Sequence, residues 1–150
     1  MSDLVQRYED AKLAYRLSAT GHDEELDAAV EALIKTERQR VKIRWVFVSG
    51  PYTNPDPVAN VRRAILAGDR LREAGYIPFV PHLDLIWNLL VPHNLDYWLE
   101  WDKAWIQKCD ALVRLDGHSP GGDEEVKYAL KLGLPVFNGV EGLVGRTETD

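Results

Sequence analysis

The chain has 150 residues, of which 45% are apolar and 28% charged, enough for one globular domain with a buried core and unlike a disordered chain. No apolar run approaches the roughly 18 residues of a membrane span, and the opening Met-Ser-Asp-Leu-Val-Gln-Arg lacks the basic-then-apolar order of a secretion signal. The net charge of −6 argues against a nucleic-acid polymer as partner, and the single cysteine, Cys109, leaves no intramolecular disulfide and fits a reducing cytoplasm.

Residues 1–43 hold no Pro and one Gly, Gly21, and are rich in Ala, Leu, Glu, Lys and Arg. They predict a helical hairpin that turns at residues 19–23, with Asp23 capping the second helix. Leu26, Val30, Leu33 and Ile34 give that helix an apolar stripe, which needs a partner surface. The hairpin is expected to pack on the main domain or to join subunits.

The pattern changes at residue 44. Trp45-Val-Phe-Val48 predicts a strand that ends in Ser49-Gly-Pro-Tyr52. Asp56 and Pro57 supply an N-cap and a first-turn proline for a helix to about Ala74, and Gly75 stops it. Tyr76 to Val80 predicts a strand, with Pro78 marking a short or edge position. Pro81 to Asp84 reads as a loop, Leu85 to Leu90 as a short helix, and Leu95 to Lys108 as a long one. Ala111–Leu115 predicts a buried strand, Asp123–Leu132 a helix stopped by Gly133, and Leu134–Asn138 a last strand before a polar tail from Gly145. This alternation predicts a parallel α/β sheet of four or five strands with right-handed crossovers. The expected fold is a three-layer, flavodoxin/Rossmann-like domain over residues 44–150, preceded by the helical hairpin.

Two carboxylates stand out. Glu125 follows a Gly-rich loop, Ser119-Pro-Gly-Gly122, at the carboxyl edge of the predicted strand 111–115. Ligands of parallel sheets bind at that edge, and the glycines let a ligand approach free N–H groups. A carboxylate there can act as nucleophile or base. A structural reading is also open: with Gly122 as N-cap, Glu125 is the third helical residue and bonds back to the cap. Asp102 is the one charged member of an otherwise apolar helix face formed by Leu95, Trp98, Leu99, Trp105, Ile106 and Cys109. Burial there raises its pKa, so it can hold a proton near neutral pH and donate it. The alternative is a structural Asp bonded to a loop or a helix end.

Other signals are weaker. His82, Asp84 and His93 match no metal-site spacing. His118 lies beside the Gly-rich loop, Tyr52 follows the first strand, and Arg62, Arg63, Arg70 and Arg72 read as a solvated helix face. The five tryptophans read most simply as core. The sequence carries no Walker A loop, GxGxxG, HExxH, CxxC or nucleophile elbow, so no cofactor and no metal is expected.

Four segments, in order over residues 44–138, resemble the nucleoside 2-deoxyribosyltransferase superfamily, including its nucleoside 5′-monophosphate N-glycosidase branch. They are Val46-Phe-Val-Ser-Gly-Pro-Tyr52; Leu71-Arg-Glu-Ala-Gly-Tyr-Ile-Pro-Phe-Val80; Asp102 to Ala111; and Leu115-Asp-Gly117 with Ser119 to Glu125 and Leu132-Gly-Leu-Pro-Val136. The resemblance implies cleavage or transfer of the N-glycosidic bond of a (deoxy)nucleoside or its 5′-monophosphate. Glu125 would attack the anomeric carbon, and Asp102 would help protonate the leaving base or orient the sugar. Gly50, Pro51 and Tyr52 would line the sugar and base pocket, and Ser119 and Gly121 would face the 5′ end. Ser49, His82, Asp116 and Gly122 complete the expected substrate-binding set. Gly-Pro-Tyr is similar to the transferases, whereas Ser119 is similar to the monophosphate hydrolases, so the branch stays open. The resemblance further implies a cytoplasmic homo-oligomer acting on a small molecule, with no membrane partner. The alternative on the same fold is a nucleotide-binding sensor without turnover, or a partner-binding protein that keeps only the fold.

Overall fold

The computed structural model describes Ala28, Ala32 and residues 43–146. The chain divides into two compact units, Met1–Leu33 and Ile34–Asp150. In the first, Ala28 and Ala32 are helical and exposed; the predicted hairpin otherwise lies outside the described residues.

In the second unit, four apolar runs form an all-parallel sheet: β1 (Trp45–Ser49), β2 (Ile77–Phe79), β3 (Ala111–Arg114) and β4 (Val136–Asn138), in the order β2-β1-β3-β4. Pro78 sits in β2, an edge strand where a missing N–H is tolerated, as its presence predicts. Among the described residues of this unit, five helices connect and flank the strands: α1 (Pro57–Glu73), α2 (Leu85–Leu90), α3 (Leu95–Ile106), α4 (Pro120–Lys131) and α5 (Gly139–Val144). A 3-10 turn, Pro81–Asp84, leads into α2.

The strands alternate their side chains between two cores, which makes three layers. Val46, Val48 and Val113 pack with Ala64 and Leu71 of α1 and Leu143 of α5. Phe47 and Leu112 point the other way, onto Ile106 of α3 and Ala129 of α4. The Asp110 carboxylate accepts from the Arg44 and Trp45 N–H groups, each at 2.9 Å, and so ties the entry of β3 to the start of β1.

Local signals set most helix ends. The Asp56 side chain accepts from the Val58 and Ala59 N–H groups, and Gly75 takes φ +94° just after α1. Two expectations are corrected and one element is added. First, α4 begins at Pro120, three residues earlier than predicted, because Ser119 caps it and Pro120 fits the first helical position. Second, the segment before the tail forms α5; residues 147–150 lie outside the described residues. Third, the tryptophans are not simply core: Trp45, Trp87 and Trp105 are 47%, 43% and 37% exposed. Four of the five form a chain of ring contacts, Trp98–Trp87–Trp101–Trp105, which ends with Trp105 stacked on Phe79 at 4.4 Å. Two of the arginines expected on a solvated face also have partners: Arg63 donates to the Asp116 carbonyl, and Arg70 pairs with Glu141 at 3.2 Å.

Candidate active site

Strand order reverses between β1 and β3, and an open parallel sheet has its crevice where that happens. The two strands leave the sheet side by side there. A Cβ on Gly50 would stand 2.9 Å from Cβ of Leu115, so only Gly fits where their exits converge. A cavity of about 430 Å³ opens at this edge.

Glu125 lies on its floor. The Ser119 hydroxyl accepts from the Gly122 N–H at 3.0 Å and points its own proton at the Gly50 carbonyl at 3.4 Å. With Ser119 as N-cap, Glu125 is the sixth helical residue, not the third. The reading in which it bonds back to the cap is therefore overturned; the helix carries it inward, where it is 8% exposed. The Arg114 guanidinium donates to the Leu115 and Gly117 carbonyls and to Asp123 at 3.1 Å, beneath the start of α4. Burial raises the Glu125 pKa, while hydrogen bonds from Ser49 and Asp102 and the charge of Arg114 oppose that rise.

Asp102 faces Glu125 from α3, near enough for the two carboxyls to share a proton. It is buried, and its Oδ1 has no partner among the described residues. Its pKa is pushed up to about 9, first by burial and then by the neighbouring Glu125 charge. Both carboxyls are raised, so the coupled pair keeps a shared proton into the neutral range.

Gly50, Tyr52, His82, Ser119, Gly121 and Gly122, all expected in the site, line the cavity with this pair. His82 is 3% exposed, and its Nε2 lies 3.0 Å from the Pro51 carbonyl. A carbonyl only accepts, so Nε2 carries the hydrogen and Nδ1, without a partner among the described residues, is left as an acceptor. Burial lowers the His82 pKa and keeps the ring neutral. Tyr52 stays protonated, because burial and then the Asp84 charge raise its pKa.

Three expected residues are not in the wall. Ser49 is fully buried behind Glu125, its hydroxyl within reach of both that carboxylate and the Gly122 carbonyl at 3.4 Å. Pro51 sits behind His82 and offers it a carbonyl. Asp116 is exposed, and its carbonyl takes Arg63. Asp84, Asn88, His93 and His118 also line the cavity. Asp84 and His93 stood in the sequence only as rejected metal ligands, and among the described residues no group of three His, Cys, Asp or Glu could hold a metal ion. Asn88 gives no local signal, since its place depends on how α2 meets α3. Arg114 was detectable as a lone charge in the buried run 111–115. The face of α3 divides in two: Leu95, Trp98, Leu99 and Asp102 line the cavity, while Ile106 and Cys109 enter the core.

Fold and site together define an open-sheet α/β domain with a carboxylate-floored cavity at the switch point of its sheet. The chain belongs to the DUF4406 family, a domain of unknown function, whose family model matches residues 44–138. No curated protein matches it. Among the described residues, no helix is long and apolar enough to cross a membrane.

Proposed function

We propose that the protein cleaves or transfers the N-glycosidic bond of a (deoxy)nucleoside or its 5′-monophosphate. The observation that carries this reading is the pair Asp102 and Glu125, two buried carboxyls facing each other on the floor of a nucleoside-sized cavity, with both pKa values raised by burial. Two carboxyl groups in different protonation states are what double displacement at an anomeric carbon requires.

A Glu125 oxygen bonds to C1′ as the C1′–N bond breaks, and that electron pair passes to the base nitrogen, which takes the Asp102 proton. Water, or the nitrogen of a second base, then attacks C1′. The ester C–O bond breaks, its electron pair returns to Glu125, and the proton of the attacking group goes to Asp102. Positive charge that develops on the sugar is stabilised by the Glu125 carboxylate.

Among the described residues, no Lys or Arg lines the cavity, whereas Asp84 and Glu125 do. A phosphate dianion is disfavoured in that field, which supports the free nucleoside as the better substrate. Mass spectrometry of the acid-quenched reaction tests the intermediate. A pentosyl adduct is expected on the peptide that carries Glu125; base release with an adduct on another residue refutes the assignment.

The reading includes a cytoplasmic homo-oligomer. Leu83, Ile86, Leu89, Leu90, Val91 and Leu95 are exposed on and around α2, apolar surface that a second copy would cover. Light scattering that returns the monomer mass at working concentration refutes assembly.

A further inference from the structure

We propose that Asp84 and Asn88 form a subsite that reads the hydrogen-bonding edge of the nucleobase; this rests on the nucleoside reading above. Both residues line the cavity, four positions apart across the junction of the 3-10 turn and α2.

Asn88 is fixed in one orientation. Its Oδ1 accepts the His93 backbone N–H at 3.0 Å and the Trp98 indole N–H at 2.7 Å. Both partners are donors, so a flipped amide would set its NH₂ against two N–H groups. The Nδ2 group is therefore the outward donor, and it has no partner among the described residues. Asp84 is fixed in the same manner: its Oδ2 accepts the Trp101 indole N–H at 3.1 Å, which leaves the other oxygen to accept. That oxygen lies at the cavity wall, where it can accept from a donor on the ligand.

Both clamps come from α3, the helix that carries Asp102. Trp101 adjoins Asp102, and Trp98 lies one turn before it. The subsite is thus held in register with the proposed proton donor at the leaving base. Trp98 and Leu95 supply apolar wall beside it.

Every nucleobase carries donors and acceptors side by side on its edge, and their order differs from base to base. A carboxylate takes only a donor, and an amide NH₂ serves only an acceptor. The ligand class is therefore a base with an amino group or ring N–H toward Asp84 and a carbonyl or bare ring nitrogen toward Asn88. A polar pair left unmatched by the wrong base discriminates more strongly than an apolar pocket does.

Binding of adenine, cytosine, uracil and hypoxanthine to the full chain tests this, read by calorimetry and by tryptophan fluorescence. Free bases have no bond to cleave, so the readout does not need turnover. Asp84→Asn keeps an oxygen for the Trp101 indole and converts the free acceptor to a donor. Asn88→Asp keeps the oxygen used by His93 and Trp98 and converts the free donor to an acceptor. Both are near-isosteric, and a melting curve of each checks its folding. Each is expected to weaken the preferred base at least about tenfold and to reorder the four bases. The double exchange, which reverses the order of donor and acceptor, is expected to favour a base that the original chain binds poorly. The same affinities in all four proteins, or no saturable binding of any base to the original chain, overturns the proposal. Base binding that responds to the exchanges without any base release refutes the glycosidic reading and leaves the subsite standing.

Discussion

Asp102→Asn keeps the shape of a buried side chain and removes its proton equilibrium. At pH 4 the folded and unfolded chains both carry much of the Asp102 proton, and the substitution changes little. As pH rises, the unfolded chain releases this proton near its ordinary value of 3.8, while the folded chain keeps it until about pH 9. The original protein therefore loses stability across that window relative to a variant with nothing to ionise. About three pH units separate the ordinary value from neutrality, and each is worth about 1.4 kcal/mol, which gives an upper limit of about 4 kcal/mol at pH 7. Allowing half for relaxation, we expect about 2 kcal/mol of stabilisation, or a midpoint roughly 4–8 °C higher. The gain should vanish near pH 4. Turnover should fall by about 10²–10⁴-fold, because an amide cannot supply the proton. Thermal melts from pH 4 to 9 with parallel rate measurements provide the assay. A midpoint lowered at pH 8, or a difference that does not change with pH, refutes the burial argument.

Two further predictions concern the same floor. Turnover should follow a bell-shaped pH profile. It rises as Glu125 loses its proton near pH 7 and falls as Asp102 loses its own near pH 9; a maximum near pH 5 contradicts that protonation pattern. Ser119→Ala should cost about 1 kcal/mol and lower the midpoint by roughly 2–4 °C, through loss of the α4 cap. Its effect on turnover of a free nucleoside should stay under about tenfold, because the hydroxyl is already engaged by Gly122 and Gly50. An unchanged midpoint refutes the capping role.

Residues whose environment is local were legible in the sequence. Asp56-Pro57 and Gly75 punctuate α1 through the backbone itself, and Pro78 can sit only where a ladder N–H is dispensable, at the edge strand β2. Asp102 was visible because helical spacing sets it among apolar neighbours that line one face. The start of α4 was misplaced because two glycines outweighed the Ser119-Pro120 signal; that displacement had left Glu125 open to a capping role. What depends on two elements meeting was not legible. Arg63 finds the Asp116 carbonyl only after α1 folds over the sheet, and Asn88 acquires its orientation from α3. Helix α5, six residues with two glycines, has too little periodicity to announce itself.

The central claim is tested most directly by overnight incubation of the protein with nucleosides and their 5′-monophosphates, with and without a second free base, read by chromatography. Glu125→Ala runs beside the original chain. The account predicts base release, faster from free nucleosides than from their monophosphates, and lost in Glu125→Ala while the fold is kept. No release from any substrate, or equal release by Glu125→Ala, contradicts it.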